Sequence, residues 1–309
     1  MSGDRVALSR AITLIESKRF DDQMRASELL DEVISYAGKS FRIGITGVPG
    51  VGKSSFIEVF GKLLTGLGKK VAVLTIDPSS NRTKGSILGD KTRMELLSKD
   101  DHAYVRPSAS GSTLGGVASN TRETILLCEA AGYEIIIIET VGVGQSETVV
   151  KEMVDYFLLL MLAGGGDELQ GIKRGIMEMA DHVVINKADG DNVSTAKKAA
   201  KEYKNAIHLF PPNEAHWEVP VGLCSALNRS GLEEVWEKME EYLASTKSIG
   251  WFEENRKRQS INWFHERIDA RLKSQFYSQP ETLEQIKKRE ELISSQKISV
   301  RKAVDGLFN

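Results

Sequence analysis

The stretch from Phe41 to Ser55, FRIGITGVPGVGKSS, starts as an apolar run and ends in a loop of glycines closed by a lysine and two serines. Gly47, Gly52, Lys53 and Ser54 meet the spacing G-x-x-x-x-G-K-[S/T], with Val48, Pro49, Gly50 and Val51 between the glycines. Such a loop, set between a strand and a helix, turns backbone N–H groups inward around phosphate oxygens. The helix N-terminus adds positive potential at the same point. Lys53 is expected to reach the β- and γ-phosphates and the Ser54 hydroxyl to ligate Mg2+, with Ser55 completing the cradle.

A magnesium ion held by one serine and two phosphates needs an acidic residue nearby. Asp77 ends the apolar run KKVAVLTID and Glu139 ends EIIIIE, so parallel strands would bring both to one crevice at their carboxyl ends. Asp90, in SILGDKTRM, lies on the segment between them. Glu139 to Gly142, ETVG, resembles the D-x-x-G element of G proteins, in which the acid meets magnesium through water and the glycine N–H reads the γ-phosphate. Val143 follows Gly142, so the glutamine that orients the attacking water in Ras-like proteins is displaced, the nearest being Gln145. Intrinsic hydrolysis is therefore expected to be slow.

The base is read further on. His182 to Asp189, HVVINKAD, is an apolar run ending in N-K-x-D. The Asp189 carboxylate can accept two hydrogen bonds from guanine N1–H and its 2-amino group, where adenine offers no donor. Leaving that carboxylate unpaired supports discrimination on the order of 10⁴-fold. Asn186 supports the loop, the Lys187 stem covers the base, and Ser225, Ala226 and Leu227 of CSAL supply the loop that meets the guanine oxygen. GTP or GDP with Mg2+ is the expected ligand.

These groups need a frame that brings strand ends together. Strands are expected at 41–46, 70–76, 134–139, 156–163, 182–185 and 219–225, with helices at 54–67, 117–131, 171–179 and 232–244. Strands alternating with helices imply a mostly parallel sheet covered on both faces, an α/β P-loop domain over 41–245. Residues 1–40 read as two amphipathic helices. Residues 246–309 read as a helical arm, with Ile261, Phe264, Ile268, Leu272 and Phe276 on one stripe and Pro280 breaking it. That arm packs on its own domain or forms a subunit interface. Arg256, Lys257 and Arg258, flanked by acids, read as a solvated helix face.

The chain's 309 residues carry 41 basic and 43 acidic side chains, a balance that argues against a nucleic-acid binder. Two cysteines, Cys128 and Cys224, build neither a disulfide framework nor a zinc site, and the five histidines never pair at ligand spacing. There is no signal-peptide pattern at the N-terminus and no apolar run of membrane-spanning length, so a cytoplasmic protein is expected.

The strings GVPGVGKSS, TIDPSS, GSILGDKTRM, STLGGVA, ETVGVGQSE, GDELQGIKRGIMEMAD and NKAD together resemble the MeaB/ArgK/MMAA family of GTPases associated with methylmalonyl-CoA mutase. The likeness is close over 40–245. It implies a SIMIBI-like G domain, a homodimer formed through the C-terminal arm, and an adenosylcobalamin-dependent acyl-CoA mutase as partner. In that family GTP gates cofactor loading and removal, the mutase stimulates hydrolysis, and the segment matching Gly166 to Lys173 acts as a further switch, with Lys173 moving toward the nucleotide. The alternative is a P-loop kinase or ATPase of the kind once assigned to arginine and ornithine transport.

Overall fold

The computed structural model of the chain describes residues 4–76, 94–106, 114–140, 146–163, 174–211 and 213–308. Asp77, Asp90, Gly142, Gln145 and Lys173 lie outside them. Two compact units are present, Met1–Lys257 and Arg258–Asn309.

The first unit is built on seven parallel strands in the order β3-β2-β4-β1-β5-β6-β7. They are β1 Phe41–Gly47, β2 Val71–Ile76, β3 Ala103–Arg106, β4 Ile135–Thr140, β5 Tyr156–Leu162, β6 His182–Asn186 and β7 Val221–Leu223. The chain leaves β1, passes β4 to form β2 and β3, returns to β4, and then continues on the other side of β1. The crevice at the carboxyl end of β1 is thus a topological switch point, where α/β sheets place ligands.

Beta-branched runs explain the central strands. In β4, Ile135 and Ile137 enter the core on one face while Ile136 and Ile138 enter the core on the other. A strand buried on both faces reads as continuous apolar sequence rather than as alternation. One face is covered by α3 (Lys53–Gly66), short α4 (Glu95–Ser98) and α9 (Leu232–Ser248), with Phe56, Phe60 and Trp236 in the core. The other is covered by α1 (Arg5–Glu16), α2 (Phe20–Val33) and α5 (Leu114–Ala130), through residues such as Ile12, Ala26 and Leu127. Shorter α6 (Ser146–Lys151) and α7 (Arg174–Met179) follow β4 and β5. Ala196, Ala199 and Tyr203 of α8 (Val193–Ile207) pack near β5 and β6.

Arg256 lies in α10 (Trp251–Ser278), and it corrects the expectation of a solvated face. Its Nε and Nη2 donate to the two Asp155 carboxylate oxygens at 2.7 and 2.6 Å, and its Nη1 and Nη2 donate to the Gly38 and Ser40 carbonyl oxygens at 2.6 Å each. Beside it the Arg42 guanidinium grips Glu129 through two bonds of 2.9 and 3.0 Å, and the Arg42 backbone N–H donates to Asp155 at 2.8 Å. Burial alone would raise the Glu129 carboxyl; Arg42, Ser40 and the Gly38 N–H outweigh it and hold the pKa below the usual range. Two guanidiniums and two buried carboxylates therefore knot α10, α5 and the start of β1 together.

In the second unit, α11 (Pro280–Ser294) starts with Pro280 in its first turn and α12 (Val300–Asp305) follows. Pro280 is a helix start as well as a helix stop, as its fixed φ allows. The Phe276 ring stacks on Phe308 with centroids 5.0 Å apart, while Ile261, Phe264 and Leu272 stay exposed. No helix among the described residues is long and apolar enough to cross a membrane.

Candidate nucleotide-binding site

The phosphate loop begins where β1 cannot carry a side chain. A Cβ on Gly47 would come within 2.4 Å of the Leu160 carbonyl oxygen, and that atom belongs to the neighbouring strand and cannot yield. Gly50 and Gly52 have left-handed φ of 80° and 89°, open to glycine without steric cost. Between them Val51 is fully buried and anchors the loop in the core. The Val51 N–H donates to the Val48 carbonyl at 3.2 Å, closing the turn around Pro49. Gly52 caps α3, so Lys53, Ser54 and Ser55 form its first turn.

Lys53 Nζ curls back over the loop and donates to the Gly47 carbonyl at 2.9 Å. Burial pulls its pKa below the ordinary lysine value, against the opposing pull of Glu139 and Glu147. Ser54 Oγ donates to Glu139 Oε1 over 2.9 Å. Glu139, the penultimate residue of β4, is in register with Ile45 of β1 and Thr75 of β2, which is why the phosphate helix and this carboxylate meet. A hydroxyl and a carboxylate at that separation form a hard oxygen donor set, the kind Mg2+ takes together with phosphate and water oxygens. Ser54 and Glu139 fit the expected ion.

The base loop stands one strand beyond β5. Asn186 ends β6, its Nδ2 donating to the Val51 carbonyl at 2.8 Å and its Oδ1 accepting from Ala226 N–H at 3.3 Å and from Cys224 Sγ at 3.4 Å. Lys187 has a left-handed φ of 59° and reaches back to donate to the Gly50 carbonyl at 2.7 Å, so its stem spans the gap between the loops. The Ser225 hydroxyl donates to Asp189 Oδ2 and fixes that carboxylate. Leu227, 81% exposed, stands at the rim. A cavity of about 400 Å³ runs between these groups, lined by Gly52, Ser55, Asn186, Lys187, Asp189 and Ala226.

The described members of the expected site thus come together: the 47–55 loop, Glu139, Asn186, Lys187, Asp189, Ser225, Ala226 and Leu227. Glu147, buried at the start of α6 and acting on Lys53, was not anticipated. Its only signal is its place within ETVGVGQSE. Ser225 was expected to contribute backbone, whereas its side chain holds Asp189. Such an arrangement can cradle a triphosphate on backbone amides and a lysine while a fixed carboxylate reads a purine's donor edge.

The chain matches, over residues 8–281, the family described as Methylmalonyl Co-A mutase-associated GTPase MeaB. A putative GTPase of Caulobacter vibrioides is 48% identical, the match covering 100% of this chain and 94% of that protein. The mitochondrial methylmalonic aciduria type A homolog of Mus musculus is 44% identical, over 100% of this chain and 77% of that protein. The crystal structure of a LAO/AO transport system kinase is similar with a TM-score of 0.78 and 36% identity, covering 99% of this chain and 93% of that one. A parallel P-loop sheet, a guanine-type base loop and this match over most of its length place the chain in the family of methylmalonyl-CoA mutase-associated GTPases.

Proposed function

We propose that this GTPase binds an adenosylcobalamin-dependent acyl-CoA mutase and uses GTP binding and hydrolysis to gate cofactor loading, protection and reactivation. The observation that carries the reading is the coupling of the two nucleotide loops. Asn186 and Lys187 each donate to a carbonyl of the phosphate loop, so a purine at Asp189 and phosphates at Lys53 are sensed by one rigid unit. The family description supplies the mutase.

In the cycle, the backbone of 47–52 and Lys53 hold the β- and γ-phosphates, and Lys53 offsets charge as the terminal bond breaks. Asp189 holds the base, with Ala226 N–H near its oxygen and Lys187 and Leu227 on its faces. Ser54 and Glu139 would hold Mg2+, which would supply neutralisation of the phosphate charge. Asp77 and Asp90 as further magnesium partners, Gly142 and Gln145 around the γ-phosphate, and Lys173 as a relay are assigned from sequence. With no glutamine at Val143, turnover alone is slow and the mutase supplies the missing positioning. The exposed stripe of Ile261, Phe264 and Leu272 supports the arm as a homodimer surface, and a cytoplasmic compartment completes the reading.

Mixing the purified protein with an adenosylcobalamin mutase and measuring GTP turnover tests the reading. Complex formation with several-fold stimulation is expected; neither occurring with any acyl-CoA mutase removes it. The name of the similar transport system kinase offers a second reading, phosphoryl transfer from ATP to an acceptor other than water. Nucleotide competition separates the two, because preference for ATP contradicts the role given to Asp189.

A further inference from the structure

The cavity between the loops extends beyond the groups already assigned. Glu58, one turn after Ser55 on α3, and Arg229, on the loop after β7, also line it. A nucleotide with its base at Asp189 and its phosphates on the 47–54 loop would carry its ribose between those ends, within the cavity that Ser55, Glu58 and Arg229 also line.

The two side chains carry opposite charges. Glu58 Oε1 accepts from the Leu96 backbone N–H at 2.7 Å, which holds the carboxylate in place against α4. Its Oε2 has no hydrogen-bond partner among the described residues. The Arg229 guanidinium likewise makes no hydrogen bond or ion pair among the described residues. Its backbone is fixed nonetheless: φ is 56°, and Ser225 and Ser230 exchange backbone bonds of 2.9 and 3.2 Å around it, with the Asn228 N–H held by Ser225 Oγ at 3.0 Å. Side chains carried at left-handed φ persist where the surroundings over-determine them, as at ligand clamps. The same Ser225 fixes Asp189, so base reader and Arg229 share one anchor.

We propose that Glu58 and Arg229 form a clasp over the ribose of the bound guanine nucleotide. Glu58 Oε2 accepts a hydrogen bond from a ribose hydroxyl, and the Arg229 guanidinium spans the mouth to pair with the same carboxylate. A carboxylate has lone pairs enough for the Leu96 N–H, a hydroxyl and a guanidinium together. The clasp rests on the guanine-nucleotide reading above. It gives the site a preference for ribonucleotides and slows release of product.

Calorimetry with GDP and 2′,3′-dideoxy-GDP, and release of radiolabelled GDP, test it on the full-length protein. The wild type is expected to prefer GDP by about tenfold, the scale of one hydrogen bond to a charged group. Glu58→Ala should weaken GDP by a similar factor and abolish the preference. Arg229→Gln should speed GDP release by about tenfold, and the double variant should be little worse than the stronger single one. Arg229→Gln leaves the Leu96 contact intact, so its effect does not depend on α4 staying folded. Guanine-selective binding without ribose preference, or additive effects of the two substitutions, overturns the clasp alone. No binding of either guanine nucleotide by the wild type removes the base-site reading with it.

Discussion

Asn186 Nδ2 donates to the Val51 carbonyl over 2.8 Å, so the N-K-x-D loop and the glycine-rich 47–52 loop are one hydrogen-bonded body. Cys224 reinforces the join from behind, its Sγ 3.4 Å from Asn186 Oδ1 and its thiol pushed up to about 12 by burial, which keeps it an uncharged donor.

Lys53→Ala removes the cation that lies over the Gly47 carbonyl within the phosphate loop. Single-turnover GTP hydrolysis is expected to fall by at least 10²-fold, on the order of the loss seen when one transition-state donor is deleted. Affinity for GDP should drop as well, measured by calorimetry.

Asp189→Asn replaces an acceptor with a group that presents a donor on one side. The pairing with the guanine 2-amino group is lost, while xanthine offers an oxygen at that place. Guanine preference is expected to relax by about 10²-fold or more, with xanthosine nucleotides gaining. Competition binding checks it; unchanged selectivity would mean that the base lies elsewhere.

Gly47→Ala sets a methyl group 2.4 Å from the Leu160 carbonyl oxygen. Strand β1 must shift away from β5 to admit it. A loss of about 2 kcal/mol in denaturant stability is expected, the usual range for overpacking, with nucleotide binding falling further than stability alone explains.

His182 gives the stability a pH dependence. Burial first, then the charge of Lys238, lowers its pKa from 6.5 to about 3, and Tyr156 meets it edge-on at 6.3 Å between ring centroids. The unfolded chain takes up the proton first, so this contribution is complete above pH 6.5 and is lost as pH falls toward 3. Between pH 7 and pH 5 the cost is about 2 kcal/mol. His182→Gln should flatten that part of the profile in urea titrations; an unchanged slope assigns it to other groups.

Much of the site was legible because its chemistry is local. The phosphate loop and N-K-x-D each lie within a few residues, flanked by runs such as Ile135–Ile138 whose burial on both faces leaves no other reading. What escaped was decided at a distance. Strand β3, Ala103–Arg106, is four residues long at the sheet edge, too short and mixed for a period to emerge. Helix α8 buries only Ala196, Ala199 and Tyr203 on its inner face, a stripe too small to stand out among its lysines. Arg256 looked solvated because its neighbours in sequence are charged, whereas its partner Asp155 lies 101 residues away.

That guanidinium also bears on where the chain can be divided. Sequence character changes after Ser245, yet a protein cut there would leave the buried Asp155 carboxylate without its guanidinium, while Glu129 keeps Arg42, Ser40 and the Gly38 N–H. Stranding a buried charge costs about 3–5 kcal/mol. Dissecting the nucleotide-binding half from its helical tail therefore calls for scissors placed beyond Lys257, so that the plug stays in its socket.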